Sequence, residues 1–437
     1  MSKLEELIQK LCPNGVEYKT FEDFSIQLTG MSGVSNKWAE TGNCVFIDYM
    51  NAYTHLKIDT TLIKKATVKN LRQTILQKGD ILFTSASEVP DECAISSVIE
   101  NDIQDGVFLD DHLFGIRILE KYRTEINSTF LNYYFRGIEF RKIVQKAVRG
   151  VTRFYISKKD FMKIKIPIPP IEVQEEIVRI LDKFTELTAE LTAELTARKK
   201  QYEFYRDQLL SFNSINDTTN NRTGGGYNHL LNCQVKWVRL GDLALVTKLA
   251  GFEFTKYVKY SNSGQIIALR GLNVKNGQLD LTDVKYIDES DLSKLDRSKL
   301  KKGDLLFTYV GTVGQVALIN EDEKFYLAPN VALIRITNEG VLPDYLRYYC
   351  QSNIFYKKEI LRLIQASSMQ NIPMEKIRKF VVPVPPIEEQ KRIVAILDRF
   401  DKLCNDISEG LPAEIDARQK QYEYYRDKLL NFKEIAQ

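Results

Sequence analysis

The sequence predicts an α+β protein built by tandem duplication, with two modules of mixed sheet separated by two long antiparallel, coiled-coil-like helices. Three observations carry this expectation. First, a helix-forming stretch occurs twice: PIPPIEVQEEIVRILDKFTELTAELTAELTARKKQYEFYRDQLLSF from Pro167 to Phe212, and PVPPIEEQKRIVAILDRFDKLCNDISEGLPAEIDARQKQYEYYRDKLLNF from Pro383 to Phe432. Gln174, Leu181, Asp182 and Phe184 match Gln390, Leu397, Asp398 and Phe400 at an offset of 216; Gln201, Tyr202, Tyr205, Arg206 and Asp207 match Gln421, Tyr422, Tyr425, Arg426 and Asp427 at 220. Second, the flanking framework repeats as well. Lys78–Thr84 returns as Lys302–Thr308, Leu113–Ile118 as Val331–Ile336 with Arg117 against Arg335, Phe130–Tyr134 as Tyr345–Tyr349, and Ile156 as Ile372. Third, the intervening segments are short alternating apolar runs between turn residues, the pattern of irregular strands. The repeat is about 215 residues long, too long for a solenoid unit and long enough for a domain.

Taken in order, the chain opens with a short amphipathic segment (Leu4, Ile8, Leu11), and Val16–Phe24 then starts the first module. Val235–Leu243 starts the second in the same way. Lys78-Gly79-Asp80 and Lys302-Gly303-Asp304 are turns entering buried strands. The linker SFNSINDTTNNRTGGGYNHL (211–230) is polar, has three successive glycines and no apolar period, and is expected to be flexible. In each long helix a Pro-Pro pair ends an extended segment, and Glu172 or Glu388 follows at the positive helix end. Ile177, Leu181, Phe184, Leu187, Leu191 and Leu195 form an apolar stripe at spacings of three and four, as do their counterparts from Ile393 to Ile415. Gly410 and Pro412 should kink or briefly break the second helix. Thr188–Leu191 and Thr192–Leu195 are identical tetrads, each nearly one turn, so losing one preserves the stripe to within about 40°.

Composition narrows the class of function. The chain, at 437 residues, holds roughly two to four domains, and 44% apolar with 27% charged residues suits a soluble protein. A net charge of only +3 means that a polyanion must be met by local basic surface. The six cysteines stand singly, a usage that predicts a reducing cytoplasm with neither a disulfide framework nor a zinc cage. Met1–Thr20 is unlike a signal peptide, and no apolar run reaches the roughly 20 residues of a membrane helix.

The P-I-P-P-x-E-x-Q entry, the doubled R-K-K-Q-Y-E-F-Y-R-D-Q-L-L segment and the TAEL tetrads together resemble the specificity subunit of a Type I restriction-modification system, in the class with TAEL tetrads in its central helix. The resemblance spans essentially the whole chain. It implies a first target-recognition domain over 1–165, a central conserved spacer helix over 166–212 and a flexible linker over 213–232. A second recognition domain follows over 233–382, then a C-terminal conserved spacer helix over 383–437. It implies a non-catalytic subunit without a cofactor that reads a bipartite, asymmetric target in double-stranded DNA. Two modification (methyltransferase) subunits would dock on the helices and methylate adenine, and restriction/translocase subunits would join through the complex. The helices and modules would form a pseudo-twofold, roughly cyclic molecule. Arg198, Tyr202, Tyr205 and Arg206, with Arg418, Tyr422, Tyr425 and Arg426, are the expected partner-binding residues, because Tyr and Arg dominate contact hot spots.

The residues themselves support DNA binding. Arg141–Lys165 holds nine Lys or Arg against the single acid Asp160, and the matching Lys357–Phe380 holds six against Glu359 and Glu375. Local positive charge of this kind neutralises phosphates, although a solvated helix face has the same composition. Arg149, Thr152, Arg153 and Lys158 are the candidate contacts in the first module, and Ser367, Ser368, Gln370 and Asn371 in the second. Arg suits guanine; Gln and Asn suit adenine. Thr84, Ser85 and Ser87 follow one buried strand and Thr308 and Tyr309 the other, where a side chain either reaches the surface or simply makes a turn. Arg270 precedes Gly271, which would allow close backbone approach. His112 and Asn330 occupy equivalent positions and could touch DNA or satisfy core backbone.

Catalytic patterns are sparse. There is no P-loop, no glycine-rich nucleotide fingerprint and no Asp/Asn-Pro-Pro-aromatic tetrad of an amino-methyltransferase. His55, His112 and His229 lack metal-ligand spacing. Asp304 with Asp322-Glu323-Lys324 imitates a nuclease set, but its twin Asp80 has no such companion. The alternative class is a structural or adaptor protein whose duplicated modules bind something other than DNA.

Overall fold

The computed structural model describes residues 2–37, 41–212, 235–249, 256–364, 371–406 and 409–435. The expected linker at 213–232, and Ser367, Ser368 and Gln370, lie outside them. Two compact units emerge: Met1–Thr192 with Glu414–Gln437, and Ala193–Ala413. Each therefore joins one module to helical segments from both copies of the repeat.

Unit one begins with α1 (Lys3–Leu11), capped by Ser2 and Glu5 in a reciprocal box. Strands β1 (Glu17–Thr20), β2 (Ser25–Thr29), β3 (Val34–Lys37) and β4 (Cys44–Ile47) precede the short helix α2 (Tyr49–Thr54). Next come β5 (Lys64–Val68), β6 (Ile81–Thr84), β7 (Ala86–Ser87), β8 (Ser96–Val98), β9 (Val107–Leu109) and β10 (Leu113–Ile118). Helices α3 (Ser128–Arg136) and α4 (Ile138–Ala147) follow, then β11 (Val148–Arg149), β12 (Phe154–Ile156) and β13 (Lys165–Ile168). The central antiparallel sheet has the order β2-β10-β6-β8, and a second, mixed sheet runs β3-β5-β4-β9 with β4 parallel to β9. β6 is buried along its length, which explains its unbroken apolar run. At its entry Arg117 grips Asp80 with two hydrogen bonds of 2.7 Å. Burial pushes the Asp80 carboxyl up while the same pair holds Arg117 protonated. Phe21, Phe83, Phe114, Phe135, Phe140 and Phe161 pack between this sheet and the helices.

The long helix α5 (Ile171–Leu209) is continuous over 39 residues, ending three residues before Phe212. Its repeated residues hold the module. Gln174 accepts the Asn127 N–H at 2.8 Å and donates to the carbonyls of Glu125 and Pro169. Asp182 accepts the Tyr133 hydroxyl at 2.6 Å and the Lys57 ammonium at 2.9 Å.

Unit two repeats the plan. Its strands are β14 (Lys236–Arg239), β15 (Ala244–Lys248), β16 (Ile267–Leu269), β17 (Val274–Lys275), β18 (Gln278–Leu279), β19 (Lys285–Tyr286), β20 (Leu305–Thr308), β21 (Val316–Leu318), β22 (Phe325–Leu327) and β23 (Val331–Ile336). Helix α6 (Pro343–Gln351) precedes β24 (Val381–Val384), α7 (Ile387–Asn405) and α8 (Leu411–Leu429), the last of which passes into unit one at Glu414. The sheet β15-β23-β20-β21 mirrors that of unit one, and β16 lies parallel to β22 as β4 does to β9. Asp304 and Arg335 repeat the buried ion pair, so this member of the nuclease-like set is engaged within the fold. Gln390 repeats the contacts of Gln174 on Leu342, Gly340 and Pro385. Tyr356–Ile360 form a π-helical turn.

The break expected at Gly410 and Pro412 is present between α7 and α8. A Cβ at Gly410 would lie 2.6 Å from the Lys402 carbonyl oxygen, so the chain turns back too tightly for another residue. Among the described residues no helix is long and apolar enough to cross a membrane.

Candidate nucleic-acid interface

In unit one the predicted residues gather where β6 ends and β10 begins. Thr84 and Leu113 are register partners, and just beyond them Ser85 donates both its N–H and its hydroxyl to the His112 carbonyl. β7 pairs with β12, placing Ser87 opposite Phe154, and β12 pairs with β11, placing Arg149 opposite Tyr155. Ser85, Ser87, His112 and the hairpin with Arg149, Thr152 and Arg153 thus share one rim. The hairpin turns at Gly150, whose φ of +121° and a would-be Cβ 2.1 Å from the Arg153 carbonyl oxygen admit only glycine. Arg149, Thr152 and Arg153 are exposed, with Arg149 paired to Asp160 at 3.1 Å. Lys158 is half-buried, its ammonium 5.9 Å from the centre of the Phe114 ring.

Two residues of this region face inward. Thr84 is buried, its hydroxyl donating to the Glu92 carbonyl and accepting the Ile95 N–H. Arg141 donates to the carbonyls of Asp91, Cys93 and Ala94 at 2.6–3.0 Å. Together with Ser87, whose hydroxyl donates to the Glu92 carboxylate at 2.9 Å and accepts the Val89 N–H at 3.1 Å, they fix the shape of loop 85–94.

Beside this rim Lys37 lies among Asp110, Asp111 and His112, 2.9 Å from Asp110 and 3.0 Å from His112 Nδ1. Burial pushes the Asp110 carboxyl up. Against its own desolvation, hydrogen bonds with Asp110, Lys37 and His112 hold Asp111 well below the usual range. The Lys37 ammonium is thus shared between both carboxylates. Sequence reasoning missed α2, where Tyr49 and Tyr53 stack at 5.8 Å and the Tyr49 hydroxyl reaches the Ala86 carbonyl. Their i, i+4 spacing was the available signal.

In unit two the matching strand exit is clamped the same way. Thr308 is buried, donating to the Thr312 carbonyl and accepting the Gln315 N–H, and so fixes the shorter loop 309–314. Tyr309, expected as a DNA contact, is instead buried, and its carbonyl accepts the Ile372 N–H, while Asn371 bridges to Val310. Asn330 is exposed with φ +71°, its carbonyl meeting the Tyr309 N–H at 3.4 Å. Arg270, Thr308 and Asn330 line one cleft of about 780 Å³, inside the range typical of ligand sites.

The residues expected to bind a partner divide into two groups. Tyr202 and Tyr422 are buried, and Arg206 and Arg426 lie over their rings at 5.4 and 5.6 Å. Burial pushes the Tyr202 phenol up to about 12. Tyr425 stacks on Phe184 in unit one and Tyr205 on Phe400 in unit two. Arg198 and Arg418 are 43% exposed, each bonded to the glutamine three residues on. The most exposed aromatics on these segments are Phe204 and Tyr424, at 58% and 62%, which are themselves matched positions.

The profile of the Type I restriction modification DNA specificity domain matches twice, over residues 24–198 and 233–417. The chain is 32% identical over 320 residues to a protein of Haemophilus influenzae named as a type I restriction enzyme specificity subunit, covering 71% of this chain and 74% of that one. It is 35% identical over 297 residues to the EcoR124I/EcoR124II specificity subunit of Escherichia coli, covering 64% of this chain and 66% of that one. Its fold is similar to that of the type I restriction-modification S subunit of M. genitalium (TM-score 0.50, 13% identity, 96% and 97% coverage). It is more similar to a chain from a study of complex assembly and conformational transition in the type I R-M system (TM-score 0.61, 16% identity, 96% and 98% coverage).

Proposed function

The chain belongs to the family of Type I restriction modification DNA specificity domains, and on that footing we propose that it is the sequence-reading subunit of a restriction-modification complex. Each module reads one half of a bipartite, asymmetric duplex target, and the chain supplies position while partner subunits supply chemistry. The modules correspond to residues 1–165 and 233–382, the spacer helices to 166–212 and 383–437, and the linker to 213–232. The complex works in the cytoplasm, where its DNA lies.

The observation that carries this reading is the rim of unit one. A basic hairpin folds back onto the exit of the central strand, so that Arg149, Thr152 and Arg153 stand beside Ser85, Ser87 and His112. Exposed guanidinium groups with neighbouring hydroxyls serve both phosphate neutralisation and base-edge contacts. Lys158, Arg270, Asn371 and Asn330 complete the proposed contacts, with Thr84 and Thr308 as shapers of the reading loops. Ser367, Ser368 and Gln370 are proposed from the sequence. Replacing Arg149 and Arg153 by Ala should weaken discrimination at one half-site and leave base preference at the other unchanged, as read by selection from randomised duplexes. Equal loss at both halves would mean that one composite surface reads the target.

Two modification subunits dock on the helical repeats, and restriction/translocase subunits join through them. The surface available for docking in unit one includes Leu187 and Tyr424, and its counterpart in unit two Leu403 and Phe204. These are two pairs of matched exposed apolar residues on the repeat. A duplicated patch fits two copies of one partner. Arg198 and Arg418, both partly exposed, are proposed as further contacts with the partner, whereas Tyr202, Arg206, Tyr422 and Arg426 are largely covered within the units.

A further inference from the structure

We propose that the cleft of unit two seats a guanine of its half-site, with Arg270 as the residue that reads it and Asp283 as a positioning residue. This rests on the DNA-reading function proposed above and deepens it.

Beside the apolar Leu272, Val274, Val310, Ala328 and Pro329, the cleft is lined by two cations, Arg270 and Lys275, and by the polar Asn276, Thr312, Gln315 and Asn330. No carboxylate is among its lining residues. The two cations, which donate and cannot accept, favour a ligand that offers hydrogen-bond acceptors. Arg270 is held in place before any ligand arrives. Its Nη2 donates to the Asp283 carbonyl at 2.9 Å and to the Asp283 carboxylate at 3.0 Å, fixing the plane of the guanidinium. Its Nε is buried without a hydrogen-bond partner, a cost of the kind that functional sites retain. Space is kept at the same point, since a Cβ on neighbouring Gly271 would meet nothing closer than Thr308 Cγ2 at 4.0 Å. With Nε buried, the Nη1–Nη2 edge of this planar guanidinium is the one that matches the paired O6 and N7 acceptors that guanine presents in the major groove, Nη2 giving up one of its two Asp283 contacts to the base.

The equivalent place in unit one is built differently. The parallel pairings β4–β9 and β16–β22 align Asp48 with Arg270, and Asp110, Asp111 and His112 with Ala328, Pro329 and Asn330. There Lys37 pairs with those acids. The two modules therefore differ in charge at this position, and the guanine assignment belongs to the second half-site alone.

The test is selection from a randomised duplex pool by the full chain in its purified complex, at two salt concentrations, for the wild type, Arg270→Ala, Arg270→Lys and Asp283→Asn. The wild type is expected to select a guanine at one position of one half-site. Both Arg270 variants should lose that preference by roughly 5- to 150-fold, the range for a lost bidentate base contact. Arg270→Lys should keep its nonspecific affinity, and Asp283→Asn should weaken the same position partially. The first half-site should be untouched throughout. A uniform loss across all sequences in Arg270→Ala, with a salt slope lower by about 0.9, would overturn the assignment in favour of a phosphate contact. Unchanged selection in correctly folded Arg270→Lys would overturn it outright. Failure of the wild type to select any sequence would instead defeat the DNA-reading function on which the assignment rests.

Discussion

The Asp427 carboxylate accepts the backbone N–H of Ile138 at 3.0 Å, so the second copy of the repeat caps a helix of the first module. Asp207 does the same for Asn353 in unit two, also at 3.0 Å. In each unit a helix opens without enough acceptors of its own, and an aspartate from the other copy of the repeat supplies one. This accounts for the recurrence of Tyr-Arg-Asp: tyrosine packs, arginine lies over it, and aspartate caps.

Asp427→Ala should therefore destabilise unit one by about 1 kcal/mol and Asp207→Ala unit two by a similar amount. Amide exchange should accelerate at 138–147 in the first variant and at 353–364 in the second. Exchange that accelerates in the wrong unit, or in neither, would contradict this division.

Much of this framework was legible in the sequence, because duplicated contacts leave duplicated residues. Gln174 and Gln390 each satisfy three backbone groups, and Asp182 and Asp398 each accept a tyrosine hydroxyl, so both pairs recur at one offset. The break at Gly410 was legible from local chemistry. The partners of the repeat tails were not. Tyr422 meets Tyr133 across nearly 300 residues of chain, and periodicity reports a buried face without naming what covers it. The reading surfaces were only partly legible for the same reason. Thr84 and Arg141 have surface-like chemistry, but loop closure turns both inward, whereas the Arg270 cleft depends on strands far apart in sequence.

The docking reading separates two sets of residues. Phe204→Asp with Tyr424→Asp should abolish co-purification of the modification subunit while leaving the melting temperature within a few degrees, because both side chains are exposed. Charge reversal at Arg206 and Arg426 should instead lower stability by roughly 2–4 kcal/mol, since both are largely covered and lie over tyrosine rings. Retention of the partner by the aromatic double variant would move the dock elsewhere.

Deletion of Thr192–Leu195 tests the helix as a ruler. It removes about 6 Å of rise against about 3.4 Å per base pair, so the unspecified gap between half-sites should shorten by one or two base pairs with the half-site bases unchanged. Leu191 and Leu195 are both half-buried, and the deletion preserves the stripe to which they belong. An unchanged gap would show that the tetrads only cover a neighbour.

The most direct test of the central claim is the pattern of methylated adenines in a genome expressing this chain with its modification partner. A single asymmetric motif of two defined half-sites around a fixed unspecified gap is expected, absent when the chain is omitted. A contiguous motif, or methylation that persists unchanged without the chain, would contradict it.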